Sequence, residues 1–600
     1  MGMDNEMKES AKWDLSYLYD GPADPRLTAD LAEAVKRTRV FAHDFRGRLA
    51  GEGVTADLLE ASLRTYGELQ EFALKPYCYA QLLFAADSGA APNRALLARV
   101  REAWNSIGED LLFYELELLR LDEEVFAKLL KEKGVARYAH YLCRLRIMRP
   151  YTLSEEVEKV LKRKALTGRE AFVQLFEELT ASFRFRFRMP GAEEDSEVSG
   201  AELLALLHHP QRQVREDALT LFLNRHREHS LTLGACFNNL FLDHYKEVEL
   251  RHFPDIMTPT HLANETDPET VAKLMEVTEA NYRLAQDYFR LKQKLLGLDE
   301  MKNTDIYAPL PRAARRIPFA EAKAMVLDAF RGFSAEMAVC AEAFFRERRI
   351  DVFPAPGKSG GAFCAGMSPG LSPYILLNYT ENLRDVATLA HELGHGVHFS
   401  LARKQHLFHY NAPLPFAETA SVFGEMLLTR HLLEQESDPQ VKVDILCAKL
   451  EDVIATTFRQ NVLTRFELAA HRLRRERLLD AEDFCRLWWE ENARLFGDAV
   501  TMVEPYRWGW AYIGHFIHSR FYCYSYIFGE LLVLSLYRRY QEEGAAFVPR
   551  YLELLGKGGS EPPAQMLKPF GIDLAKADFW QKGYDFVADL LTELKGLVGP

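Results

Sequence analysis

From Pro268 to Gly297 the chain reads PETVAKLMEVTEANYRLAQDYFRLKQKLLG, with apolar side chains returning every three or four positions. That spacing matches the turn of an α-helix and excludes the strict alternation of a half-buried strand. The same period runs through LTADLAEAVKRTRVFAHDF (27–45) and SEEVEKVLKRKALTG (154–168). A chain patterned in this way folds mainly as helices that bury one face against one another. Its 600 residues, 48% of them hydrophobic, suffice for a substantial core in two or more subdomains.

Two regions depart from the helical period. FRFRFRM (183–189) alternates, which puts phenylalanines on one face of a strand and Arg184, Arg186 and Arg188 on the other. PGAEEDSEVSG comes next and reads as the rest of a hairpin and a linker, with the arginine face in solvent. In GKSGGAFCAGMSPGLSPYILLNYT (357–380), glycines and prolines flank two short strand-like runs, AFCAGM and YILLNY. The glycines do not make a phosphate loop, because Lys358 precedes the glycine pair and the GxxxxGK[ST] spacing is absent. A mobile loop or tight hairpin is expected there. No internal repeat or low-complexity tract occurs. The division falls near residue 195, giving a helical N-terminal domain (1–195) and a larger catalytic domain (196–600).

Charge narrows the partners. A net charge of −13 and a pI near 5.8 suit a nucleic acid poorly, and only FRFRFRM interleaves basic and aromatic residues. No run reaches the length of a membrane span. The opening MGMDNEMKESAKWDLSYLYDG has no basic region followed by an apolar run, and Glu6 stands where a myristoylation motif on Gly2 needs Ser or Thr. Eight cysteines lie scattered in apolar segments with no CxxC pair, as thiols of a reducing compartment do. These features predict a cytoplasmic protein without nucleic-acid or membrane partners; oligomeric state stays open.

Chemistry concentrates in ATLAHELGHGVHFS (387–400). His391, Glu392 and His395 form HExxH. Four residues of helix bring two imidazoles onto one face, one turn apart, within reach of one metal ion. Val386, Leu389, Ala390, Leu393 and Val397 make the helix a buried one. Glu392 lies about 100° around the helix, where it can reach water beside the metal as a general base. His398 shares the face of His391 but lies about 10.5 Å further along the axis, too far to join both others on one ion. It either supports the site or is a satisfied buried histidine.

The third ligand must come from elsewhere. The pattern HExxHxxGxxH fails, because His398 and Leu401 occupy its glycine and last histidine positions. A glutamate on a following helix is the other common solution. In PLPFAETASVFGEMLLTRHLLEQ (413–435), Glu418 stands where prolines give way to helical periodicity, with Ser421 and Glu425 on its face. It reads as the ligand, or else as a complement to the helix N-terminus. Near the C-terminus, the part of WGWAYIGHFIHSRFYCYSYIFGELLVLSLY (508–537) after Gly514 is apolar all round, as a buried helix would be. On one helix, His515, Ser519, Tyr522 and Tyr526 form a stripe, with Tyr524 opposite. A buried imidazole and phenols can stabilise the oxyanion of acyl transfer, whereas aromatic packing is the alternative, preferred for Tyr524.

At HELGHGVH (391–398), FAETASVFGE (416–425) and IGHFIHSRFYCYSYIFGELL (513–532) the chain resembles the thimet oligopeptidase superfamily of zinc metallopeptidases, and within it the oligoendopeptidase F group. WDLSYLYDGPADP (13–25) and TGREAFVQLFEEL (167–179) extend the resemblance over nearly the whole chain. It implies a mainly α fold whose two helical halves enclose a deep substrate channel, with a small β-sheet beside the HExxH helix. It implies one zinc ion per chain on His391, His395 and Glu418, with Glu392 as general base. Oxyanion stabilisers fall at His515, Tyr522 and Tyr526, although Gly514 stands where many relatives have proline. The function so implied is endopeptidase cleavage of short unstructured peptides in the cytoplasm by a zinc-activated water. A zinc exopeptidase of carboxypeptidase type and an inactive peptide-binding protein are the competing readings. The same ligands accept cobalt or manganese. A strand near AFCAGM (362–367) could add the substrate backbone as a further strand, with broad side-chain tolerance.

Overall fold

The computed structural model describes residues 11–51, 53–310 and 316–599. Gly2 and Glu6 lie outside them. Helices dominate, as the periodicity requires. The run 27–45 forms the helix Pro25–Phe45; Asp24 caps it by accepting from the Arg26 N–H, and Leu27, Ala34, Phe41 and Phe45 are buried on one face. The run 154–168 forms Glu155–Ala165, capped by Ser154 on the Val157 N–H. The long run 268–297 is not one helix. It forms Pro268–Ala280 and Tyr282–Leu295, broken at Asn281. The Asn281 amide donates at 2.8 Å both to the Val277 carbonyl and to Gln581 Oε1, so its side chain competes with the helical ladder.

The chain divides into two compact units, each discontinuous in sequence. The first draws on Met1–Pro150, Arg315–Gln435 and Arg539–Ile572, the second on Tyr151–Ala314, Glu436–Arg538 and Asp573–Pro600. One apolar cluster of the first unit gathers Phe41, Leu63, Tyr114 and Phe126; another gathers Trp13, Tyr79, Tyr374 and Leu376. The core of the second unit is aromatic, built around Phe237, Phe466, Phe484, Trp488 and Trp510.

The two irregular regions form the two sheets. β1 (Phe185–Phe187) and β2 (Ser196–Val198) make the antiparallel hairpin expected from FRFRFRM. Phe183, Phe185 and Phe187 are buried and the three arginines are exposed, with Arg188 paired to Asp195. The other sheet has the order β3-β5-β4, from β3 (Ile350–Asp351), β4 (Phe363–Ala365) and β5 (Tyr374–Leu376). β4 and β5 are the two runs visible in the sequence; β3, two residues long and parallel to β5, is too short to show a period. The buried strand β5 sits in the middle, which leaves β4 as an edge. No helix among the described residues is long and apolar enough to cross a membrane.

Candidate metal centre

HExxH lies in the middle of the helix Leu383–Ala402, which starts at an Asn382 cap accepting from the Asp385 N–H at 3.0 Å. Val386, Leu389, Ala390, Leu393 and Val397 are fully buried. Burying each of the larger ones contributes about 1.5–3 kcal/mol, so the helix is anchored by the face opposite its histidines. Glu418 follows the short turn Leu414–Ala417 and immediately precedes the helix Thr419–Gln435.

Glycines let these two helices close on each other. A Cβ on Gly394 would lie 2.4 Å from the Ala420 carbonyl oxygen and 2.6 Å from the Ser421 Cα. On the facing helix, one on Gly424 would lie 3.0 Å from the Ala390 carbonyl oxygen. Both obstacles are backbone, so any larger residue at Gly394 forces the helices apart. Gly394 is one of the two unspecified positions of HExxH; a glycine inside a helical pattern is the signal that a backbone approaches closely there.

The close approach brings three ligand-type atoms together. His391 Nε2 lies 3.2 Å from His395 Nε2, and Glu418 Oε2 lies 3.3 Å from each. Among the described residues this is the one group of three or more such side chains spaced to hold a metal ion. Ligand bonds of about 2.0–2.1 Å at tetrahedral angles put neighbouring donor atoms about 3.3–3.4 Å apart, so the triad fits an ion such as zinc with a fourth position open. Surrounding contacts orient the donors. Glu425 Oε1 lies 2.6 Å from His391 Nδ1, which turns Nε2 toward the triad. Ser421 Oγ donates to Glu418 Oε2 at 2.6 Å.

The electrostatics favour a cation. Burial opposes charge on His391, but the bond to Glu425 and the Glu418 and Glu392 carboxylates outweigh it and raise its pKa to about 10. Burial likewise opposes charge on Glu418, yet His395, His391 and Ser421 bring its pKa down to about 2. The attraction that would hold a proton here would equally hold a metal ion.

Glu392 does not join the triad. It is buried, its Oε2 has no hydrogen-bond partner, and burial pushes its pKa up. It faces a cavity of about 360 Å³ lined also by the three triad residues, by Phe363 and Cys364 of β4, and by Tyr410. His398 lies in the same wall, buried, where desolvation lowers its pKa to about 4 and it bonds the backbone of Ala417, next to Glu418.

In the second unit, the expected continuous helix after Gly514 is interrupted. His515–His518 is one short helix and Tyr524–Glu543 another. Between them Phe521 adopts φ 53°, a left-handed conformation uncommon outside glycine. Its N–H donates at 3.0 Å to Glu467, a fully buried carboxylate whose pKa desolvation raises to about 8. The turn still gathers three of the predicted groups. His515 Nε2 lies 3.3 Å from the Tyr526 hydroxyl, with the Tyr522 ring 5.9 Å from the imidazole and 5.1 Å from the Tyr526 ring. Ser519 is exposed and takes no part. Tyr524 is buried elsewhere, its hydroxyl accepting from Asn264 at 2.8 Å and meeting Thr266 at 3.2 Å, as a packing residue does.

The model of peptidase family M3 matches residues 205–586, and that of oligopeptidase F matches 117–185. An oligoendopeptidase F homolog of Borreliella burgdorferi is 26% identical over 95% of this chain and 95% of its own. An oligoendopeptidase F homolog of Lactococcus lactis is 26% identical over 99% of this chain and 98% of its own. The crystal structure of oligoendopeptidase-F from Enterococcus faecium shares the fold, with a TM-score of 0.72 at 22% identity over 99% of both chains.

Proposed function

The chain belongs to peptidase family M3 and is a metalloendopeptidase, and from that premise we propose that it hydrolyses internal bonds of short unstructured peptides in the cytoplasm with one zinc ion per chain. The observation that carries the reading is the meeting of His391, His395 and Glu418 at 3.2–3.3 Å beside the unpartnered buried oxygen of Glu392. Those three side chains would hold the zinc. A zinc ion there would supply Lewis acidity, polarising a carbonyl and lowering the pKa of water.

Glu392 takes the proton of the attacking water and returns it to the leaving amine nitrogen. Its raised pKa makes it a stronger base than an exposed glutamate once ionised. Glu425 fixes the orientation of His391, Ser421 that of Glu418, and His398 the turn ahead of Glu418. The edge strand β4 lies in the cavity wall and offers its backbone to a peptide main chain, which suits broad side-chain tolerance. His515 and Tyr526, 3.3 Å apart with Tyr522 beside them, offer N–H and O–H donors of the kind that stabilise an oxyanion. Burial, and then the charge of Arg459, lower the pKa of His515, so the ring serves as a neutral N–H donor.

Mass spectrometry of graded-length unstructured peptides tests this, with and without a chelator. Internal cuts in short peptides, abolished by chelation and restored by zinc, are expected. Trimming from one end would mark the exopeptidase, and intact peptides after zinc loading would mark a binding protein.

A further inference from the structure

A second cavity, of about 60 Å³, lies wholly within the second unit. Tyr307, Arg459, Tyr506 and Tyr512 form its polar wall. Arg459 donates Nη1 to the Tyr307 hydroxyl at 2.6 Å and Nη2 to the Tyr512 hydroxyl at 3.1 Å. Both partners are phenol hydroxyls, and among the described residues no acid forms an ion pair with Arg459. Glu451, the carboxylate in the same wall, is already engaged by Lys292 Nζ and the Tyr288 hydroxyl, each at 2.5 Å.

Arg459 is half-buried and has no counter-charge there, whereas folded chains commonly pair a cation taken out of water. Arginine has five N–H donors in a planar fork, so two phenol contacts leave donors free. A phenol that accepts from the guanidinium also keeps its own O–H to donate. The three groups together therefore offer an anion one cation and two hydroxyl donors. A water needs about 10–15 Å³ of such space, so the cavity takes a group of a few heavy atoms, the size of a carboxylate.

The backbone supplies an independent sign. Between the helices Pro439–Val453 and Arg459–Glu476 the chain makes one π-helical turn, Ile454–Phe458, closed by the Arg459 N–H on the Ile454 carbonyl. Such a turn adds a residue to the helical repeat, re-aims the side chains after it, and is frequent at functional sites. Here the residue it re-aims is Arg459. Tyr512 stands three residues before His515, and the Arg459 charge reaches that imidazole.

We propose that Arg459, with Tyr307 and Tyr512, is a binding subsite for a carboxylate of the peptide substrate. The inference rests on the peptidase reading above. Two carboxylates of a peptide have this chemistry, the C-terminal one and an Asp or Glu side chain.

The test uses the zinc-loaded full chain and two matched peptide pairs. One pair differs by a free or amidated C-terminus, the other by Glu or Gln at an internal position. Wild type should show a KM about 10–100-fold lower for the charged member of one pair, the range of a charge-assisted contact. The pair that responds identifies which carboxylate is bound. Arg459→Gln should abolish the KM difference between the two members, whatever it does to kcat through His515, and Arg459→Lys should keep part of it. A wild-type ratio retained in Arg459→Gln, an equal loss on both members, or no preference in wild type would overturn the subsite. Anisotropy of the same labelled peptides on the Glu392→Gln chain, with and without Arg459→Gln, reads the preference without turnover. Arg459-dependent binding without hydrolysis by wild type would support the subsite and overturn the peptidase reading.

Discussion

The two units build their polar clusters in opposite ways. The first places His391, Glu392 and His395 on an unbroken helix and closes a second helix onto it through Gly394 and Gly424. The second gathers His515, Tyr522 and Tyr526 around a helix break, with a left-handed Phe521 tied to a buried glutamate. A metal site demands donor atoms at fixed separations, and a helical turn sets those separations for two of the three candidate ligands. A set of phenol and imidazole donors tolerates more variety of backbone, provided something rigid holds the turn. Glu467 does that here.

Removing a ligand should separate the clusters most sharply. His395→Ala or Glu418→Ala should lower bound zinc from one per chain to near zero and hydrolysis by at least about 10⁴-fold, read by elemental analysis and a fluorogenic peptide. Tyr526→Phe should leave zinc in place and lower kcat by about 10²–10³-fold. Tyr524→Phe should leave kcat unchanged, and an equal loss in both variants would erase the distinction between them. Glu425→Gln should weaken zinc binding about 10–100-fold in a competitive chelator titration, since it orients His391 without touching the ion.

The smallest effect concerns the turn and depends on pH. Glu467 titrates near 8 in the folded chain and near about 4.3 when unfolded, so folding favours its neutral form. The stability it contributes is complete below about pH 4.3 and is lost as pH rises through 8. Glutamine keeps an acceptor for the Phe521 N–H without the charge. Glu467→Gln should therefore match wild type near pH 4 and exceed it by about 2–5 kcal/mol at pH 9 in urea unfolding. Parallel curves at both pH values would remove Glu467 from the account.

The helical architecture and the placing of His391 and His395 on one helical face were legible because both follow from a local period. HExxH spaces its histidines by one turn, and Glu418 stands where prolines yield to helix. The hairpin at FRFRFRM was legible for the same reason, its alternation being two-residue and strict. Three features were not. Asn281 breaks a run that reads as continuous, through a bond to Gln581 three hundred residues away in sequence. Phe521 turns left-handed against a glutamate 54 residues earlier. The pairing of Gly394 with Ala420 depends on a facing backbone, and the sequence carries only a glycine inside a helical pattern, which does not say what approaches it. Each is a tertiary contact overriding a local preference, and two of the three shape polar sites.

The most direct test of the central claim is zinc content and peptide hydrolysis measured together on Glu392→Gln. The triad as ligand set and Glu392 as base predict one zinc per chain, as in wild type, with hydrolysis lower by about 10²–10⁴-fold. Wild-type hydrolysis with zinc bound would contradict the role given to Glu392, and loss of zinc would contradict its exclusion from the ligand set.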